Sequence, residues 1–129
     1  MKYLVLILTL LFSPVLFAPI SYAGWTKVNK SISGDTSYVD YDRVRKQSGY
    51  IYFWQLQDYL HSTKYAIRSK KTYNQVDCKL LRYKSLSSVV YKKPMGLGWW
   101  RTLPKGKSKW QFPSSGSVIK MILIKICSK

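Results

Sequence analysis

Tyr50-Ile-Tyr-Phe-Trp-Gln-Leu-Gln-Asp-Tyr-Leu60 alternates side-chain character along its length. In a strand, residues two apart share a face, so Tyr50, Tyr52, Trp54 and Leu56 fall on one side and Ile51, Phe53, Gln55 and Gln57 on the other. Its aromatic and β-branched content suits a pleated, half-buried surface. Downstream, His61 to Lys64 has the length of a hairpin loop, and Tyr65 to Tyr73 returns as the next strand. Asn74-Gln75 reads as a tight turn, and Val76 to Tyr91, rich in Leu, Val and Tyr, as one long strand. Upstream, Trp25 to Lys30 alternates apolar and polar, Ser31 to Thr36 holds the turn pair Gly34-Asp35, and Ser37 to Tyr41 is a short second strand. Asp42 to Gly49 is a polar connection with one helical turn. Successive strands with short connections predict an antiparallel meander.

Beyond Tyr91 the pattern changes. Pro94, Gly96 and Gly98 interrupt Lys92 to Pro104, and Trp110-Gln-Phe-Pro113 is a candidate final strand. Ser114-Ser-Gly-Ser117 supplies hydroxyls able to cap a helix. In Val118 to Cys127 the β-branched residues favour a strand. A strand, however, would put Lys120 and Lys125 on opposite faces, whereas a helix gathers Ile119, Ile122, Leu123, Ile126 and Cys127 on one side. The helix is the reading preferred here.

Residues 1–23 read as a cleavable export leader. Lys2 precedes an apolar run from Leu4 to Phe17, and Ser21-Tyr22-Ala23 is a small-x-small cleavage site. Ser13 and Pro14 break the run short of the ~20 residues that span a bilayer, so no transmembrane segment is expected after cleavage. No lipid-accepting cysteine stands at the cleavage point. Residues 24–129 suffice for one small domain. In an exported chain, two cysteines read as one disulfide, Cys78 to Cys127, closing a loop of about 50 residues. A metal site would need more ligands than one histidine and two distant cysteines.

The balance of 22 Lys and Arg against five Asp gives a net charge of +17. Such a field attracts polyanions, although lysines also simply solvate surfaces. Export argues against nucleic acid as the partner. Catalysis finds little to work with: His61 stands alone in an expected turn, and a positioned acid–base pair is missing. Asp58 and Asp77, in the strand-rich middle, read as ion-pair partners of Arg68 or Arg82; an enzyme built on either is the remote alternative. No cofactor or catalytic residue is assigned. Binding residues are sought in Tyr91 to Trp110, where cations and aromatics interleave. The candidates are Lys92, Lys93, Trp99, Trp100, Arg101, Lys105, Lys107 and Lys109. Trp110 reads as a core residue, whereas of the adjacent Trp99 and Trp100 at least one is expected in solvent.

An ordered set of residues resembles the bacterial surface-adhesin protein E-like family. It runs through Trp25-Thr-Lys-Val28, Tyr38-Val-Asp40, Trp54-x-Leu-x-Asp58-Tyr59, Arg68-Ser69-x-Lys71 and Asp77-Cys78. It continues with Arg82, Tyr91, Met95-Gly96-x-Gly98, Trp110-x-x-Pro113 and a terminal segment ending in Cys127. The resemblance implies an α+β fold: a single antiparallel sheet of about six strands, with a C-terminal helix on its concave face tied by a disulfide between positions matching Cys78 and Cys127. It also implies a non-enzymatic adhesin of a Gram-negative bacterium that binds host extracellular-matrix glycoproteins such as vitronectin and laminin and can dimerise. Basic segments suit acidic partners of that kind, whether protein or glycan. Without a lipid-accepting cysteine, the expected location is periplasm, outer surface or secreted. The alternative is a basic periplasmic, envelope-associated protein that binds anionic polysaccharide or lipopolysaccharide.

Overall fold

The computed structural model describes residues 24–128; the expected export leader, residues 1–23, lies outside them. The strands are β1 Trp25–Lys30, β2 Thr36–Asp40, β3 Arg45–Gln47, β4 Tyr50–Asp58, β5 Ser69–Asp77, β6 Arg82–Lys93 and β7 Leu97–Thr102. The helix α1 spans Val118–Cys127. Among the described residues these seven strands form one sheet in the order β1-β2-β4-β5-β6-β7, with β3 paired to β4 off that path. Every pairing is antiparallel. The expected α+β fold with one antiparallel sheet is observed, but β3 and β7 were not read from the sequence, and β7 takes the place of the final strand expected at Trp110–Pro113.

The hairpins follow local chemistry. Ser48 and Gly49 both take positive φ, the two-residue turn whose twist matches its flanking strands. The single turn expected after Tyr41 is a 3-10 turn over Tyr41–Arg43. Two boundaries differ from expectation. Asn74-Gln75 is not a turn: Asn74 lies inside β5, where its amide reaches Gln55 Oε1 at 3.4 Å and accepts from Ser85 Oγ at 3.3 Å. The chain reverses instead after Asp77, whose carboxylate accepts from the N–H groups of Lys79 (3.1 Å) and Leu80 (3.4 Å). An aspartate satisfying the two following amides outcompetes a dipeptide whose side chains are already bonded across the sheet. The loop after β4 is also longer than the four residues anticipated, since β5 begins only at Ser69.

The alternation in β4 sorts the two faces. Ile51 and Phe53 join Val39 and Val76 in a cluster completed by Ile122, Leu123 and Ile126 of α1. That settles the terminal segment as a helix whose inward side is the set read from its periodicity. Ser117 caps it, accepting from Lys120 N at 3.2 Å. The disulfide joins Cys78, at the β5–β6 turn, to Cys127, at the end of α1, across a Cα separation of 5.6 Å. Helix and sheet are therefore fastened twice, by packing and by a covalent tie.

The opposite face carries rings. By register Tyr52, Trp54 and Tyr73 share it; Tyr73 lies 4.8 Å from Trp54 and 6.0 Å from Tyr52 between ring centres. Trp110, expected in the core, is instead half-buried on this face, 5.7 Å from Tyr50. Its segment makes only one sheet-like link, Gln111 exchanging backbone hydrogen bonds with Tyr83.

Candidate functional site on the β6–β7 edge

The candidate contact residues depend on how β7 is delivered. After β6 the chain passes through Pro94–Gly96, with Met95 at φ 60° and Gly96 at φ 68°. Met95 N donates to Asp58 Oδ1 at 2.9 Å, and Gly96 N to Ser69 Oγ at 2.9 Å; that hydroxyl donates in turn to Lys93 O at 2.7 Å. Gly96 takes φ 68°, which calls for glycine, whereas a Cβ there would meet only the flexible end of the Lys71 side chain. Asp58, Ser69, Lys71 and the Met95-Gly96 pair, far apart in the chain, thus form one node that sets the start of β7. Asp58 is therefore a turn clamp rather than an ion-pair partner of Arg68, whose Nε donates to Tyr59 O at 3.3 Å. Lys71 is packed tightly here. Burial, and next the charge of Arg43, push its ammonium below the usual lysine value, with Asp40 opposing.

β7 is an edge strand, and all six of its residues are exposed. Trp99 and Trp100 are 56% and 62% exposed, so both stand in solvent. They do not form one platform, because neighbours on a strand point to opposite faces. Trp99 lies 5.4 Å from Lys92 Nζ, which also donates to Tyr65 O at 2.9 Å; Trp100 sits opposite Tyr91. Past β7 the chain follows the rest of β6, held by Leu103 N to Ser88 O (2.9 Å) and Ser108 Oγ to Ser85 O (2.6 Å). Lys105, Lys107 and Lys109 are exposed along this continuation. Lys92, Lys93, Trp99, Trp100, Arg101 and the three loop lysines therefore line one edge of the sheet, and residues 78–129 contain no Asp or Glu to offset them. Such an edge offers unpaired backbone groups, two large rings and a one-sign field, the features of a surface suited to binding a partner.

Beside this edge lies a groove of about 450 Å³, lined by Tyr59, Tyr65, Ile67, Val90, Arg101 and Leu103. Only Arg101 was a sequence candidate. Tyr59, Tyr65 and Ile67 come from the loop before β5, Val90 from β6 and Leu103 from just past β7, and no local pattern marks them. Burial, and then the charge of Asp35, raises the Tyr59 hydroxyl above the usual tyrosine value, so it stays protonated there. His61 lies exposed in the same loop.

At the other end of β6, Arg82 Nε meets Asp77 Oδ2 at 2.9 Å, the ion pair expected from sequence. The Arg82 hydrogen bond, and secondarily the Leu80 and Lys79 amides, hold the Asp77 carboxyl below the usual range against the opposing effect of burial. The stability this adds is therefore fully present above the unfolded pKa of ~3.9 and is lost as pH falls through the lower folded value. Asp77→Asn is expected to unfold at lower urea than the parent at pH 7, with the difference closing once both are acidified below the carboxylate range. A constant difference across pH would show that the turn geometry, and not the charge, is what matters.

A small sheet, a covalently fastened helix and a basic, ring-bearing edge define a binding module. The chain belongs to the surface-adhesin protein E family, whose model matches residues 25–128. The fold is also that of Haemophilus influenzae protein E. Its crystal form II matches with a TM-score of 0.65 at 15% identity, covering 82% of this chain and 88% of that one. The selenomethionine form gives 0.64 at 15% identity, covering 82% and 87%. Protein E from the non-typeable organism gives 0.61 at 15% identity, covering 82% and 76%. No curated protein matches the chain in sequence. Family and fold together speak for an exported surface-adhesin-like binding module. Among the described residues no helix is long and apolar enough to cross a membrane.

Proposed function

We propose that this protein is a non-enzymatic adhesin that attaches to acidic extracellular-matrix glycoproteins of the vitronectin or laminin type through its β6–β7 edge. The observation that supports this is the edge itself: cations and two exposed tryptophans in a line, followed to residue 129 by no acidic side chain. Arg101 and Lys64 line a groove where an apolar side chain of the partner is taken up, and the loop lysines draw in its acidic segments. No covalent step is involved. The overall charge of +17 also favours a second reading, an envelope protein held to anionic polysaccharide or lipopolysaccharide by charge alone.

Binding of the purified protein to immobilised vitronectin, laminin, heparin and lipopolysaccharide separates the two. The measurement is made at low salt and at about 150 mM, where the Debye length is about 8 Å. A variant carrying Lys92→Ala, Lys93→Ala, Arg101→Ala and Lys105→Ala runs in parallel. Saturable binding to a matrix protein at the higher salt, weakened at least about ten-fold in the variant, is expected from a clustered contact. Binding confined to polyanions and collapsing with salt would leave the envelope reading. Fractionation completes the test, because an adhesin must reach the outside of the cell.

A further inference from the structure

The sheet face turned away from α1 is covered at one end, where Leu56 is fully buried and the Pro94–Gly96 turn lies against Lys71, but around Tyr50, Tyr52 and Trp54 it presents half-buried rings. Register places Tyr50, Tyr52 and Trp54 of β4 there, with Tyr73 of β5 and with Arg82 and Lys84 of β6. Their alternates Ile51, Phe53 and Val76 face the helix. Water-facing sides of antiparallel sheets are usually polar, so a run of half-buried rings on one is unexpected for a surface that meets only solvent.

Two groups of rings stand out. Trp54, Tyr73 and Tyr52 are stacked at 4.8 and 6.0 Å, and Gln75 Nε2 holds the Tyr52 hydroxyl at 3.1 Å. Trp110 arrives from the loop after β7 and is attended by the Arg82 guanidinium at 4.5 Å and Lys84 Nζ at 4.6 Å from its ring. Asp77 grips Arg82 by Nε, which fixes the guanidinium beside the ring. The acids near this face are already engaged. Asp77 is held by Arg82, Asp40 is buried with Arg43 at 3.3 Å, and Asp58 clamps Met95. Asp77 offsets the charge of Arg82, so the local excess is carried by Lys84 and by the overall balance of 22 Lys and Arg against five Asp, with flat apolar rings set among the charges.

We propose that this face is a binding surface for an acidic polysaccharide, a chain of uronate or sulfated sugars, with Trp110, Tyr73 and Trp54 packing against the C–H faces of the sugar rings and Arg82 and Lys84 pairing with its carboxylate or sulfate groups. Charge complementarity selects an anion, and the rings select one with flat apolar faces. A single-stranded nucleic acid meets the same charge, but it gains by stacking its bases on separate platforms. Here Trp54, Tyr73 and Tyr52 are clustered at 4.8 and 6.0 Å and not spaced as separate platforms. The site is distinct from the β6–β7 edge and does not depend on the matrix reading.

The test uses tryptophan fluorescence and calorimetry on the purified protein with polygalacturonate, heparin, neutral dextran and oligo-dT. Titrations run at about 150 mM salt, where unspecific attraction is largely screened. Polygalacturonate or heparin is expected to bind and dextran not. Trp110→Ala, which changes no charge, is expected to weaken binding about ten-fold, on the scale of one lost ring contact. Trp110→Phe is expected to retain most of the affinity, and Lys84→Gln to lose more than Lys107→Gln on the edge, where one exposed charge changes affinity about two-fold. Thermal midpoints of all variants establish that they fold, and the Lys84–Lys107 comparison decides the matter if Trp110→Ala does not. The same Trp110 ratio measured in the four-fold edge variant keeps this site separate from the matrix site. The proposal is overturned if Trp110→Ala binds within two-fold of the parent, if Lys84→Gln and Lys107→Gln are equivalent, if neither glycan binds, or if oligo-dT binds as tightly with the same dependence on Trp110.

Discussion

Cys78→Ser/Cys127→Ser is expected to lose on the order of 4 kcal/mol of stability while keeping the native fold at low temperature. The bridge spans a sequence separation of 49, and its effect lies mainly in the unfolded chain, which regains the freedom that a closed loop denies it. In the folded state α1 is also held by Ile122, Leu123 and Ile126, each at most 3% exposed, so the helix stays docked without the bond. For a domain of this size the loss corresponds to a fall in Tm of roughly 15 °C or more. The urea m-value should rise as well, because the uncrosslinked unfolded state exposes more surface. A shift of only a few degrees would mean that the unfolded chain is already compact around this pair. Unfolding at every temperature would mean that the packing of α1 contributes less than its burial implies.

Phe53→Ala should cost about 3–5 kcal/mol, the range for removing a buried phenylalanine and leaving its cavity. Phe53 is fully buried at the centre of β4, packed beneath α1 among Val39, Val76 and Leu123. The sheet and the disulfide-tied helix leave that site little freedom to collapse, which favours the upper part of the range. Tyr52→Ala, one residue away on the opposite face, provides the contrast. Its ring is half-buried and Tyr73 remains beside it, so it should cost clearly less by chemical denaturation. Equal losses at the two positions would contradict the assignment of one covered and one open face. That assignment underlies the polysaccharide site, so the stability pair and the binding series test the same geometry by separate means.

Much of the candidate edge was legible beforehand. The interleaving of Lys92, Lys93, Trp99, Trp100, Arg101 and the loop lysines is a local pattern, and the structure lays these residues along one edge of the sheet. The node that holds them there was not legible. Asp58 meets Met95 across 37 residues, and Ser69 meets Gly96 across 27. Nothing near Asp58 shows that its acceptor will be used by a backbone amide and not by Arg68. The groove beside Arg101 escaped notice for the same reason, since Tyr59, Tyr65 and Ile67 acquire meaning only beside β6 and β7.

Periodicity and capping determined the strand character of β4, the helix α1 with its inward residues, and the Ser117 cap, because each depends on neighbours within a few positions of the chain. The disulfide followed from two cysteines in a chain read as exported. Tertiary structure alone decided where β5 turns, since the side chain of Asn74 is bonded to Gln55 and Ser85 on the strands either side, and that makes it a strand residue. It alone moved Trp110 from the expected core to the open face, where Tyr50, Arg82 and Lys84 supply its surroundings. A large aromatic ring is placed by whichever long-range partners surround it, and those partners are not written in its own stretch of sequence.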